Sequence, residues 1–527
     1  MRRTYRNLFR KSTKPEKHIQ VTQTETLSTS LDNNIATIKS KLGNSADLVC
    51  RVIQIDSSNQ TDAYLLYIES LIDAALLQDL INALLHTKWE DPNQTTLKSD
   101  PVMSDLIKTN ITVGEANEAI DFDTVLTNIL SGQVAILLEN ESQAVTVSIP
   151  GFEKRAIEEP QSATVIKGPH EGFTETLSTN ISLLRRRIRS PNLWLESKEI
   201  GKVTKTKIMI AYINGIVNED LVTEVHHRLD KIDIDAILES GYIEELIQDE
   251  TFSPFPTIYS TERPDAVAGK LLEGRVAILV DGSPFVLVAP SLIVEFFQAS
   301  EDYYQRADVA TLLRFLRFFC FFIALLAPSL YIAVLTYHQE MLPTTLLISI
   351  AAQRDGIPFP AFVEALMMEV AFEILREAGV RMPRAVGQAM SIVGALVLGQ
   401  AAVQAGIVSP AMVIVVSITA IANFCFPAIN LATSVRIVRF GMMSLAAVLG
   451  LIGIMFGIIL LCIHLSSLRS FGIPYTAPAA PFIVKDQKDV FFRVPMWAMF
   501  SRPRLINQKN IKRTKSGMPK PKTTKRK

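Results

Sequence analysis

The stretch RDGIPFPAFVEALMMEVAFEILREAGVRMP, Arg354–Pro383, lies among long apolar runs and places Glu364, Glu369, Glu373 and Glu377 on one predicted helix. A charged side chain at the centre of a bilayer costs roughly 3 kcal/mol even on a lenient insertion scale. Several on one helix cannot face lipid, so they face water, a partner or each other. Pro358 and Pro360 hold the residues before them extended, and Pro360 or Ala361 opens the helix. Gly379 suits the position just past the helix end, and Pro383 prevents continuation. At about 100° per residue, Phe362, Leu366, Glu369, Glu373, Arg376 and Glu377 share one stripe. Val363, Met367, Val370, Ala371, Ile374 and Leu375 cover the remainder, with Glu364 set apart among them.

Two readings of the stripe stand level on these residues. It is a scaffold, its carboxylates paired with Arg354, Arg381 or Arg384 at the membrane surface. Alternatively it lines a pore in a cyclic oligomer, where each Glu becomes an acidic ring that selects cations and Phe362, Val363 or Leu366 forms an apolar gate.

Four membrane spans are expected around this helix: Leu312–Tyr337, Val386–Val408, Ala411–Thr433 and Phe440–His464. An even number returns the C-terminus to the side of the N-terminus, so that both basic tails lie inside. The acidic helix is then re-entrant, interfacial or a lumen-lining half-span. This topology leaves Arg436 and Arg439 in an outside loop.

The preceding three hundred or so residues show no signal peptide and are expected in the cytoplasm. They contain a repeat. Ala63–Leu85 aligns with Lys207–Leu229, and Ile129–Glu139 with Leu271–Asp281, at offsets of 212 − 67 = 145 and 274 − 132 = 142. The fold class is therefore an α/β region of two repeated subdomains, residues 44–168 and 193–299, followed by an α-helical polytopic membrane domain over 300–482. Val134–Glu139 and Val276–Asp281 read as buried strands, and Asp281-Gly282 as a two-residue hairpin. The linker, 169–192, carries Arg185, Arg186, Arg187 and Arg189, read as a solvated helix face or as subunit contacts with acids of a neighbouring copy.

Net charge is zero, but residues 1–43 and 483–527 are strongly basic tails. Beside a membrane domain such tails mark the cytoplasmic face and touch anionic lipid, in preference to nucleic acid. His226-His227 lack a surrounding ligand set and read as a solvated helix face, and the four cysteines have neither metal-ligand nor disulfide spacing. No phosphate-binding loop, dinucleotide fingerprint or nucleophile elbow is visible, so an enzyme, a metal and a cofactor are not expected.

Arg354–Pro383 closely resembles the signature of the A subunits of GerA-type spore germinant receptors. So do GPHEGFTETLSTNISLLRRRIRSPNL, KIMIAYINGI, VAILVDGSPFVLVAP, EDYY (Glu301–Tyr304) and DVFFRVP (Asp489–Pro495). Lys167 and His170 stand where that family usually has Arg, and Ala163 where it has Glu. The resemblance implies a receptor in the spore inner membrane with a transporter-like B subunit and a lipoprotein C subunit. It implies an oligomerising component that conducts monovalent cations, with Glu369, Glu373 and Glu377 along the path. A secondary transporter binding its solute near Pro358 and Pro427, or a non-conducting scaffold for the B and C subunits, are the other readings.

Overall fold

The computed structural model describes residues 25–56, 61–86, 114–151, 159–160, 163–381, 399–506 and 510–514. By packing, the chain divides into Met1–Lys41 with Leu48–Gly151, and Leu42–Asp47 with Phe152–Lys527.

The first unit opens with α1 (Leu31–Lys41) and builds a five-stranded antiparallel sheet from β1 (Leu48–Asp56), β2 (Thr61–Ile68), β3 (Ala116–Ala119), β4 (Gln133–Leu138) and β5 (Ala144–Ser148). The strand order is β1-β2-β4-β5-β3. Two further helices, α2 (Ala74–His86) and α3 (Phe122–Ile129), belong to the unit. Asp121 caps α3, its carboxylate accepting from the Thr124 amide at 2.7 Å.

The second unit repeats the pattern after α4 (Leu177–Arg187), with β6 (Leu193–Ile200), β7 (Thr206–Ile213), β8 (Tyr259–Thr261), β9 (Val276–Val280) and β10 (Val286–Ala289). Its order, β6-β7-β9-β10-β8, is that of the first sheet. Successive side chains of a strand point to opposite faces, and here both faces are covered. Ile208, Ile210 and Tyr212 pack toward Val225 and Leu229 of α5 (Glu219–Asp230). Met209, Ala211 and Ile213 pack toward Ile181 and Leu184 of α4 and Val267 of α7 (Pro264–Leu271). That explains the unbroken apolar run of β7. The β9–β10 connection is longer than the expected two residues and spans Asp281–Phe285, with Gly282 in the left-handed region at φ 85°.

The helix α6 (Ser240–Ile247) holds Glu244, whose carboxyl is pushed up to about 7 by burial and by the neighbouring Glu239 carboxylate. A raised carboxyl pKa costs nothing while both states are protonated, and its penalty grows as pH rises from the ordinary value toward 7. Glu244→Gln is therefore expected to raise the melting temperature at pH 8 and leave it unchanged at pH 4. An equal shift at both pH values would contradict this assignment.

The helical half comprises α8 (Ala307–Tyr337), α9 (Thr344–Arg354), α10 (Ala361–Arg381), α11 (Gly399–Gln404), α12 (Pro410–Asn423) and α13 (Ile429–Ser467). Among the described residues α8 and α13 are long and apolar enough to cross a membrane. The expected span Val386–Val408 lies outside the described residues up to position 398, as do Pro383, Arg384, residues 1–24 of the N-terminal tail and residues 507–509 and 515–527 of the C-terminal one. The stretch Ala411–Thr433, read as a span broken by Pro427, is α12, a break around Pro427, and the start of α13.

The expected span Phe440–His464 is also replaced. Gly450, at φ 61° and ψ −137°, turns α13 back on itself. A Cβ on Gly453 would fall on the Leu445 carbonyl oxygen, and one on Gly457 on Met442 Sδ. In a straight helix residues 442 and 457 would be about 22 Å apart, so the two arms form a close-packed hairpin. Tyr337 Oη, at the end of α8, donates to the carbonyls of Ala447 and Val448 at 2.8 and 3.0 Å. Those carbonyls end the first arm and have lost their helical partners. Gly450→Ala would place a Cβ 2.9 Å from His338 Cε1 and 3.0 Å from Tyr337 Cδ2, in a backbone region that L-residues avoid. It is expected to cost about 2 kcal/mol, read as thermal unfolding in nanodiscs. Gly441→Ala, which meets open space, is the control and should be neutral or mildly stabilising.

After the hairpin the chain returns to the second α/β subdomain. The Ile293 amide donates to the Tyr475 carbonyl at 3.0 Å, Ser470 Oγ donates to Thr257, and Arg502 Nε donates to Leu272. The second subdomain, the helices and this C-terminal segment thus form one packed body.

Candidate functional site

The helix α10 begins at Ala361, where Pro360 supplies the first acceptor, the Glu364 amide donating to its carbonyl at 3.1 Å. It runs through Gly379 to Arg381. Gly379 is therefore inside the helix and not at its end, which corrects the expected boundary.

Glu364 and Glu369 point into the bundle. Ala361, Glu364, Ala365 and Glu369 form the buried face, whereas Val370 and Ile374 are exposed. Glu364, fully buried, accepts from the Ser409 amide at 3.1 Å, Ser409 Oγ at 2.9 Å and Arg354 Nε at 3.2 Å. Ser409 is also the N-cap of α12, its Oγ accepting from the Met412 amide, and lies 3.2 Å from Tyr331 Oη of α8. One carboxylate thus ties α9, α10 and α12 together.

Glu369 and Arg439 are each 1% exposed and stand 2.8 Å apart. Glu373 is 24% exposed, accepts from Arg376 and Arg436 at 2.8 and 2.9 Å, and lies 3.9 Å from Arg439. Glu377 is exposed and pairs with Arg381 one turn on at 2.7 Å. Arg436 and Arg439 lie within the first arm of α13, not in an outside loop. Spaced three apart on one helix face, they meet Glu369 and Glu373, spaced four apart on another. This corrects Glu369 as a wall of an aqueous path: a carboxylate buried against a guanidinium presents no charge to a passing ion. The pair is in ionic contact, but among the described residues the Glu369 oxygens and the Arg439 nitrogens make no aligned hydrogen bond.

The expected gate residues divide. Phe362 packs against the main apolar core of the helical half, which holds it in place. Val363 and Leu366 are half-buried on the first turns of α10.

The linker arginines divide as well. Arg185, 0% exposed, donates to Asp47 Oδ2 and Oδ1 at 2.9 Å each, to Ser45 Oγ at 2.8 Å and to the Leu193 carbonyl at 2.8 Å. This corrects it as a solvated or intersubunit residue, since its donors are consumed within the chain. Arg187 lies 2.7 Å from Glu171 and Arg186 3.7 Å from the same carboxylate, while Arg189 is exposed. His226 lies 2.8 Å from Glu196, which also accepts from Tyr212 Oη. Among the described residues no cluster of His, Cys, Asp or Glu could hold a metal.

A second buried network sits at the start of α8. Asp302 lies 3.0 Å from Arg314 and 2.8 Å from Arg317, and Asp489 lies 2.8 Å from Arg314. Tyr303 Oη donates to Asp489 at 2.9 Å, and burial together with that carboxylate keeps its phenol protonated well above the ordinary range. The sequence motifs EDYY and DVFFRVP, nearly two hundred residues apart, thus meet on one helix.

The profile of the Bacillus/Clostridium GerA spore germination protein family matches residues 36–505. The chain belongs to the GerA family. It is 50% identical over 498 residues to spore germination protein KA of Bacillus subtilis (strain 168), covering 94% of this chain and 90% of that one. It is 42% identical over 497 residues to the membrane protein YfkQ of the same organism, covering 94% of each. It is also similar to the N-terminal domain of the A subunit of the Bacillus megaterium spore germinant receptor GerK3, at 41% identity and a TM-score of 0.41, covering 51% of this chain and 98% of that domain. Within this GerA-family chain the sequence reading missed Arg436 and Arg439 as partners of the acidic helix. The signal was present in VRIVRF, two arginines at helical spacing inside an apolar run.

Proposed function

We propose that this chain is the A subunit of a nutrient germinant receptor in the spore inner membrane, working with a transporter-like B subunit and a lipoprotein C subunit. In this reading it is a polytopic, oligomeric component that provides a nutrient-gated path for monovalent cations, with both termini in the cytoplasm. The observation that carries it is α10: of its four carboxylates, Glu364, Glu369 and Glu373 are held inside an apolar bundle by Arg354, Arg439 and Arg436 of neighbouring helices, while Glu377 stays exposed. Charged groups at membrane depth mark ion or solute pathways as a rule. The return of the C-terminal segment to the second subdomain supports a common side for the termini.

The roles within α10 follow from exposure. Glu364 and Glu369 fix the helix, Glu373 and Glu377 remain within reach of water, and Val363 with Leu366 provides the constriction. Spores carrying Glu373→Gln with Glu377→Gln are expected to release potassium more slowly after nutrient addition, and Val363→Ala spores to leak without it. Release and dormancy identical to the parent would remove α10 from the path.

The internal pairing of the acids favours a second reading, in which α10 is a scaffold for the B and C subunits and conducts nothing. Potassium flux through vesicles holding the purified three-subunit receptor separates the two. A flux absent from vesicles lacking this chain supports the path, and no flux supports the scaffold.

A further inference from the structure

The C-terminal segment carries a patch that the ion path does not use. Phe482, Phe491, Phe492, Met496, Trp497 and Phe500 are exposed, Phe492 at 57% and Trp497 at 53%. Exposed large apolar side chains at this density between residues 482 and 500 mark a contact with a membrane or another protein. Its position is fixed against α8. The rings of Phe315 and Phe492 meet edge-on with centroids 5.2 Å apart, and Phe318 and Phe491 lie at 4.6 Å. The Arg493 amide donates to Thr311 Oγ1 at 3.2 Å. Phe491 and Phe492 therefore stand level with the first turns of α8.

That level is where α8 changes character. Arg314 and Arg317 are its last charged residues, both turned inward to Asp302. On the outer side Leu312, Phe319 and Phe322 are exposed, and from Phe318 to Tyr337 the helix carries no Asp, Glu, Lys or Arg. The aromatic patch continues this apolar strip at its polar end. Lys485 is exposed within the same segment. Aromatic rings beside basic residues at the end of a span form the composition of the bilayer interface, where Trp and Tyr sit at headgroup depth and cations meet anionic lipid.

We infer that residues 482–500 are an interfacial anchor, whose aromatic side chains seat in the headgroup layer of an anionic bilayer beside the first turns of α8. This rests on α8 crossing the membrane. The occupant is lipid because Phe492 meets Phe315, an exposed ring on the outward face of α8, so the patch runs on from that face, while Phe491 reaches back to Phe318 and the core to hold it there. Through Arg314, Asp489 and Tyr303 the anchor also fixes the depth at which α8 begins.

The test uses the full chain in vesicles of phosphatidylcholine and phosphatidylglycerol, brominated either near the headgroup or near the chain ends. Tryptophan emission of the parent should be quenched by the shallow label, and Trp497→Phe should lose most of that quenching. Phe322→Trp should add quenching by the deep label. If Phe322→Trp is quenched but Trp497→Phe changes nothing, the anchor is wrong and the membrane span stands. If Phe322→Trp is not quenched by either label, the span and the anchor both fail. Trp497 shielded from lipid and also from aqueous iodide would show that another protein covers the patch, which overturns the lipid assignment.

Discussion

Arg439→Met is expected to lower the stability of the full chain in nanodiscs by about 3–5 kcal/mol, the cost of leaving a buried carboxylate without its counter-charge. Glu369 has no other ion-pair partner among the described residues, and Met keeps much of the side-chain volume. Removing both charges, as Glu369→Leu with Arg439→Met, should recover most of the loss, because a buried ion pair and an apolar pair of similar size are often close in free energy. Thermal unfolding checks the stability of all three variants, and potassium release from spores reports function separately. If the double variant regains its melting temperature and its spores germinate, the pair is structural alone. If it regains stability but not release, the charges act in gating. A single variant as stable as the parent would show that the pair is not buried in the folded protein.

Arg185→Met is the second large effect, again about 3–5 kcal/mol. The guanidinium is bidentate to Asp47 and holds Leu42–Asp47 against β6, where the Ala46 amide also donates to the Leu195 carbonyl at 2.9 Å. Gly43 lies so close to the Trp194 ring that a Cβ there would overlap it. Losing the pair should therefore free this connection and expose it to protease. Limited proteolysis with N-terminal sequencing of the fragments reads the effect. Arg189→Ala, four residues further on and exposed, should change stability by no more than about 0.5 kcal/mol. Equal protease resistance for both variants would refute the anchoring role of Arg185.

The repeated sheet was legible because its signal is local. Short unbroken apolar runs and the matched offsets of Tyr67 and Tyr212 read directly from the chain, and the two sheets share one strand order. The turn of α13 was not, because Gly450 is one of several glycines in an apolar run and only contacts across the turn distinguish it. Charge pairing failed for the same reason. Asp47 meets Arg185, and Asp489 meets Arg314, across more than a hundred residues. Helical geometry gathered Glu369, Glu373 and Glu377 into one stripe, but periodicity says nothing about which neighbour a stripe faces. A charged stripe with no visible partner reads as water-facing, and here much of it faces arginine.

The pairing of α10 with α13 also constrains how the protein is made. Glu369 leaves the ribosome 439 − 369 = 70 residues ahead of the guanidinium that neutralises it. During that interval the helix carries an acid that lipid rejects at a cost of about 3 kcal/mol, and its counter-ion has not yet been synthesised. The natural order is for α10 to wait at the bilayer surface or beside the insertion machinery until the α13 hairpin arrives. If the helical half spans the membrane as proposed, its middle would thus assemble last, although it is translated before the hairpin that completes it.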